Sequence, residues 1–153
     1  MNKLKLQTPS LFTSFTAGFL LIMLTIIFSG IFSLVSGGVF GLFASMFHGE
    51  GEELSFIFYM IIDVLNLFSF LLAVYCAIIM VRKFMKSFNE TVVYAIFFIY
   101  IMQSLIGLWL MPEDMEILGI NINEIPNFAV KQTINLLTAL GAFHYWFMVE
   151  KAK

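Results

Sequence analysis

Charged residues are so rare along this chain that whole stretches of it nearly lack them. The four stretches with at most one Asp, Glu, Lys or Arg are residues 11–47, 54–81, 91–111 and 126–149. Their two exceptions are Asp63 and Lys131. An α-helix needs about 20 predominantly apolar residues to cross a bilayer. The charge pattern therefore predicts an all-α integral membrane protein with four transmembrane helices.

The composition leads to the same class of protein. Of the 153 residues, 61 % are hydrophobic and 12 % are charged, whereas a soluble domain usually has about 25 % charged residues. A chain with a mean hydropathy of +0.96 lacks the polar groups to cover its surface in water. The net charge of −2 argues against nucleic-acid binding. Since Cys76 is the single cysteine, an intramolecular disulfide and a cysteine-based metal site are excluded.

The first stretch is too long for one crossing, because a helix over residues 11–47 would be about 55 Å long. Glycine is unfavourable inside helices, so the Gly37–Gly38 pair predicts a break. We therefore expect a crossing at 15–36 and a short re-entrant or interfacial segment at 39–47. A cleaved signal peptide is the less favoured alternative, since its apolar region is usually about 7–15 residues long. We predict that residues 1–153 form a single membrane domain. Its other predicted crossings are residues 55–80, 91–111 and 128–149.

The basic residues predict the orientation. Seven of the eight Lys and Arg residues fall on one side of a four-crossing chain: Lys3, Lys5, Arg82, Lys83, Lys86, Lys151 and Lys153. Basic residues favour the cytoplasm, so both termini are expected there. We predict a multi-pass protein of a bacterial inner membrane, with lipid as its first partner. The predicted cytoplasmic residues Arg82, Lys83 and Lys86 fit either a soluble protein partner or lipid head groups.

Polar residues within the predicted crossings form the candidate site. Counting 1.5 Å per residue from the helix ends places Asp63, Asn66, Gln103, Gln132 and Asn135 in the outer half of the bilayer, with Lys131 shallower. The candidate cluster is Asp63, Asn66, Gln103, Lys131 and Asn135. A charge in the membrane is costly unless it is paired. One interpretation is therefore a structural Asp63–Lys131 pair with amides that join helices. The other is an ion or proton site that uses Asp63.

Small residues recur along the first helix and predict close helix packing. The candidates are Gly18, Thr25, Ser29, Ser33, Gly37 and Gly41. Packing within one bundle and packing between copies of the chain stay open. A membrane protein of this size without a soluble domain is often oligomeric, so we expect a homo-oligomer.

Sequence motifs for catalysis are missing. The chain has no HExxH, phosphate-loop, GxSxG or CxxC pattern. His48 beside Glu50 is a weak metal signal, and His144 beside Tyr145 is typical of a membrane-interface residue. We therefore expect no enzyme, no cofactor and no metal.

Because the sequence has none of these catalytic motifs, the functional hypothesis is a non-catalytic one. We expect a non-enzymatic inner-membrane scaffold or sensor that works with a partner. In size and layout the chain resembles membrane components of phage-defence and toxin-immunity systems, which is an analogy at the level of the fold. The alternative is a small ion- or proton-coupled transporter or channel that uses Asp63. A polar path through the inner half is missing, which argues against a simple pore.

Overall fold

The computed structural model describes residues 9–47, 56–111, 116–117, 120–121 and 128–150. They form helices α1 (Leu11–Phe47), α2 (Phe56–Phe84), α3 (Glu90–Trp109) and α4 (Phe128–His144), and α4 continues into a π-helical segment, Tyr145–Val149. A two-residue antiparallel pair, Glu116–Ile117 with Ile120–Asn121, lies between α3 and α4. The prediction of four helices is confirmed.

Helix α1 does not break at Gly37–Gly38. It continues without interruption from Leu11 to Phe47, so the predicted break is wrong. Each helical glycine costs roughly 1 kcal/mol relative to alanine. An unsatisfied backbone group in an apolar environment costs several kcal/mol, which favours keeping the helical hydrogen bonds. Whether residues 39–47 lie at the membrane interface stays a prediction.

Contacts between helix ends define how the bundle is assembled. Near the start of α1, the Ser14 hydroxyl accepts a 2.8 Å hydrogen bond from the backbone N–H of Asn89, which precedes α3. Arg82, near the end of α2, contacts the π-helical segment after α4. These contacts share one end of the bundle, called here the Arg82 end. The opposite end, where Asp63 of α2 contacts Lys131 of α4, is called the Asp63 end.

Helix α3 begins with an N-cap at Asn89. The side-chain oxygen of Asn89 accepts hydrogen bonds from the backbone N–H groups of Thr91 and Val92. Those N–H groups have no partner inside the helix, so the cap satisfies them. The Asn89–Thr91 sequence matches a glycosylation sequon, yet its structural role here is to start a helix.

The packed core lies toward the Arg82 end. The rings of Phe143 and Phe97 lie 4.4 Å apart, and those of Phe143 and Phe147 lie 4.9 Å apart. All three phenylalanines are fully buried. Small residues such as Ala77 and Ala139 are also fully buried and let the helices approach this aromatic stack.

The outside of the bundle is apolar. Large exposed side chains are distributed along the helices, among them Phe12, Leu34, Phe68, Ile99 and Ile134. Among the described residues, three helical regions are long and apolar enough to cross a membrane: Leu11–Phe43, Met60–Phe84 and Glu90–Trp109. This combination indicates a lipid environment and a multi-pass membrane protein.

Candidate functional site

An open cavity of about 810 Å³ lies between the four helices, in the half of the bundle toward the Asp63 end. Every helix contributes to it. Its polar lining includes Ser29, Ser33, Asn66, Ser104, Gln132 and Asn135. The bundle thus has one half with a cavity lined by both polar and apolar side chains, and one packed apolar half.

On each helix, the spacing of these residues places them on the face turned toward the centre of the bundle. On α1, Ser29 and Ser33 are four residues apart, and on α3 Tyr100, Ser104 and Gly107 follow at intervals of four and three. Residues with this spacing share one face of an α-helix. Because each helix turns such a face inward, hydroxyl and amide groups meet where a soluble protein would place its core.

The cavity is closed toward the Arg82 end by buried side chains. One turn beyond Ser29 lies Thr25, whose hydroxyl donates to the carbonyl of Leu21 at 2.8 Å. Phe97 lies one turn beyond Tyr100, and Ala139 one turn beyond Asn135. All of these closing residues are fully buried. Because the side chains one turn beyond its lining are fully buried, the cavity is blind toward the Arg82 end.

Some polar side chains of the cavity form hydrogen bonds within the described residues, and others do not. The Ser104 hydroxyl donates to the carbonyl of Tyr100 at 2.8 Å. By contrast, the amides of Asn66, Gln132 and Asn135 make no side-chain hydrogen bond to any residue that the structure describes. Polar groups withdrawn from bulk water are normally hydrogen-bonded. These amides are therefore available to water or to a ligand.

An ion pair lies beside the cavity. The ammonium nitrogen of Lys131 is 2.6 Å from a carboxylate oxygen of Asp63. Asp63 is three residues before Asn66, and Lys131 is four residues before Asn135, so each charge lies about one turn from a cavity residue toward the Asp63 end. The side chains are 38 % and 36 % exposed, respectively. The pair joins α2 to α4 and neutralises both charges.

Gln103 is separated from the other members of the predicted cluster. Its side chain is exposed, and it does not line the cavity, although Tyr100 and Ser104 on the same helix do. Sequence analysis missed Ser104, although its i+4 spacing from Tyr100 was available as a signal. Gln103 lies one position away from that inward face.

The predicted packing residues of α1 divide into three groups. Gly18 is buried, and a Cβ atom there would lie 2.7 Å from Cδ1 of Ile96, so α1 and α3 approach closely. Thr25 is also buried, whereas Ser29 and Ser33 line the cavity. Gly37 and Gly41 have open space where a side chain would begin. Within the described chain, close helix packing is therefore found at Gly18 and not at the two later glycines.

The predicted cytoplasmic residues also differ from one another. Arg82 Nη2 donates to the backbone carbonyls of Trp146 and Phe147, each at 3.2 Å. Carbonyls at the end of a helix have no partner within it, so Arg82 closes the end of the α4 π-segment. Lys83 and Lys86 are exposed. Arg82 thus has a structural contact, whereas Lys83 and Lys86 make no hydrogen bond or ion pair to any residue that the structure describes.

The other residues singled out by sequence carry little chemistry. The His144 ring lies edge-on to Tyr94, with centroids 5.5 Å apart, and Cys76 is a free, half-buried cysteine. His48 lies outside the described residues. Within the described part of the chain, no group of three or more His, Cys, Asp or Glu residues is placed to hold a metal ion.

The fold and the site together define a class: a small multi-pass helical membrane protein with a blind polar cavity. Comparison with protein-family models, curated protein sequences and solved structures finds no match to this chain. The cavity and the residues around it are therefore the features of the molecule that bear on its function.

Proposed function

We propose that this chain is a non-enzymatic membrane sensor that receives a small solute in the cavity at its Asp63 end. The observation that carries this proposal is the blind cavity, which has polar groups from every helix in its wall and ends one turn before the buried Phe97 and Ala139. A pore needs a continuous polar path, whereas a receptor needs a closed site that can be entered from one side. The geometry fits the receptor better.

The proposed membrane topology has four crossings in a bacterial inner membrane, with both termini in the cytoplasm. Helix α4 and its π-helical segment extend over roughly 30 Å, enough for a fourth crossing. The exposed Lys83 and Lys86 support a cytoplasmic Arg82 end. In this orientation the cavity faces the outside.

The proposed sensor works as a homo-oligomer and with a cytoplasmic protein partner. The exposed backbone at Gly37 and Gly41 suits close approach of a second copy of the chain, and the exposed lysines suit an acidic partner. The oligomer is tested by the mass of the purified protein. Partner recruitment is tested by reversing the charges of Lys83 and Lys86, with Arg82 retained because it has a structural role.

Cysteine accessibility tests the sensor proposal directly. In a Cys76→Ser background, Ser33→Cys and Ser104→Cys would place thiols in the cavity. Ile106→Cys is the matched control, because Ile106 is 56 % exposed on the apolar outside of the same helix as Ser104. Ala139→Cys is the control for the closed floor. Each variant is treated with a membrane-impermeant thiol reagent, once in spheroplasts and once in inverted vesicles.

The expected result is labelling of Ser33→Cys and Ser104→Cys in spheroplasts only. Ile106→Cys and Ala139→Cys should stay unlabelled in both preparations, since neither position meets water. A Lys86→Cys variant should be labelled only in inverted vesicles, which also establishes the orientation. If the cavity variants are not labelled from outside, the sensor proposal is wrong.

A transporter is the second candidate, favoured by the Asp63–Lys131 ion pair beside the cavity. A cavity open to one side is also the shape of one state of an alternating-access protein. This candidate predicts labelling of Ser104→Cys from both sides. It also predicts proton or ion flux in proteoliposomes that Asp63→Asn abolishes, whereas the sensor predicts no flux.

A further inference from the structure

We propose that the cavity binds an uncharged, hydroxyl-rich solute, that is, a polyol or a small sugar. This inference rests on the proposed sensor function and adds the chemical class of its ligand. The cavity volume of about 810 Å³ falls within the range of about 300–1,000 Å³ typical of small-molecule sites. Charge, hydrogen-bonding capacity and the apolar part of the lining each support this class.

The charge balance selects against ions. All of the polar residues that line the cavity are neutral at pH 7. The nearest charges on α2 and α4, Asp63 and Lys131, already neutralise each other at 2.6 Å. An ion entering a membrane bundle would lose hydration without gaining a free counter-charge. An uncharged ligand avoids this cost.

The hydrogen-bonding groups match hydroxyls. The amides of Asn66, Gln132 and Asn135 each offer an N–H donor and a carbonyl acceptor, and none has a side-chain hydrogen bond within the described structure. Hydroxyl groups both donate and accept, so each can pair with either end of an amide. Because Asn66 and Asn135 lie on different helices, a ligand with several hydroxyls can contact both.

The apolar part of the lining matches the C–H surface of such a ligand. Phe70, Tyr100 and Leu136 line the cavity together with the polar groups. A polyol or sugar has hydroxyls at its edges and C–H groups on its faces, so it can contact both kinds of residue.

Binding is tested with the full chain in lipid nanodiscs, because sugar-based detergents would compete for the site. The uncharged probes are radiolabelled myo-inositol, glucose and sucrose, and the charged probes are zwitterionic glycine, anionic acetate and cationic choline. We expect saturable binding of at least one uncharged probe and of no charged probe. In Asn66→Leu and Asn135→Leu the affinity should fall about tenfold, since each change removes a hydrogen-bonding pair.

Gln103→Leu is the matched control, because Gln103 is an exposed amide on α3 that does not line the cavity. Its affinity should equal that of the unmodified protein. If an asparagine variant does not fold, as judged by its melting curve, Ser33→Ala serves instead, with weaker binding expected. The inference is wrong if no uncharged probe binds, if a charged probe binds more tightly, or if the cavity variants bind like Gln103→Leu.

The two proposals fail in different ways. A cavity labelled from outside that binds none of the uncharged probes would leave the sensor function standing and overturn the ligand class. A cavity that is not labelled from outside would overturn the function itself.

Discussion

The guanidinium carbon of Arg82 lies 5.0 Å from the centroid of the Phe147 ring, while the same guanidinium donates to the Phe147 carbonyl. One side chain of α2 thus satisfies the end of the α4 π-segment and stacks on its aromatic core. This contact explains how α2 and α4 stay aligned at the Arg82 end. Arg82 and Lys83 are both exposed, but of the two only Arg82 makes hydrogen bonds within the described residues.

Replacing Arg82 by Gln should lower the free energy of unfolding by about 1–2 kcal/mol, because hydrogen bonds to charged groups contribute about 1.5–3 kcal/mol and the exposure of Arg82 reduces this contribution. Lys83→Gln is the matched control and should change stability by less than about 0.5 kcal/mol. The free energy of unfolding of both variants is measured by titration with a denaturing detergent. Equal effects would contradict the structural role of Arg82.

Gly18→Ala should destabilise the bundle by about 1–2 kcal/mol. The added methyl group would lie 2.7 Å from Cδ1 and 3.1 Å from Cβ of Ile96, so α1 and α3 must separate or Ile96 must move. Gly30→Ala, where no atom lies within 4 Å, should be neutral or stabilising. Thermal unfolding measures both. Restoration of stability by an added Ile96→Ala change would identify the cause, and an unaffected Gly18→Ala would refute the close approach.

Removing one member of the Asp63–Lys131 pair should cost about 2–3 kcal/mol, since the remaining charge loses its partner in an apolar environment. The double variant Asp63→Asn/Lys131→Met should recover at least half of the summed losses. A double-mutant cycle of unfolding free energies measures this coupling. A coupling of roughly 0–1 kcal/mol is typical of exposed pairs and would place the pair in water instead.

Ser14→Ala should lower stability by about 1–3 kcal/mol. The buried Ser14 hydroxyl accepts from the backbone N–H of Asn89 and donates to the carbonyl of Ser10, so its loss leaves that N–H without a partner. Thr16→Val is the control, because the exposed Thr16 hydroxyl bonds only within its own helix, to Phe12. Thermal unfolding compares the two. An equal loss in both variants would show that the contact between α1 and α3 contributes nothing.

Sequence analysis predicted part of the candidate site and missed the rest. Asp63 and Lys131 were recognisable because isolated charges in apolar stretches stand out, and Asn66 and Asn135 followed from their counted depth in the predicted crossings. Gln103 looked equivalent by depth, yet one position of rotation on α3 places it outside the cavity. Depth in a bilayer can be counted along a sequence, whereas the rotation of a helix depends on its neighbours.

The sequence by itself determined that this protein is a bundle of apolar helices, because its uncharged stretches can satisfy their backbone groups in lipid only as helices. It also predicted that the polar residues of the membrane crossings lie in the same half of the bilayer. Only the tertiary structure decided that Ser29 and Ser33 face a cavity rather than a neighbouring helix, that Gly37–Gly38 stays helical, and that Arg82 closes the end of α4. Each of these depends on contacts between distant segments, since packing selects which helix face turns inward and which polar group finds a partner.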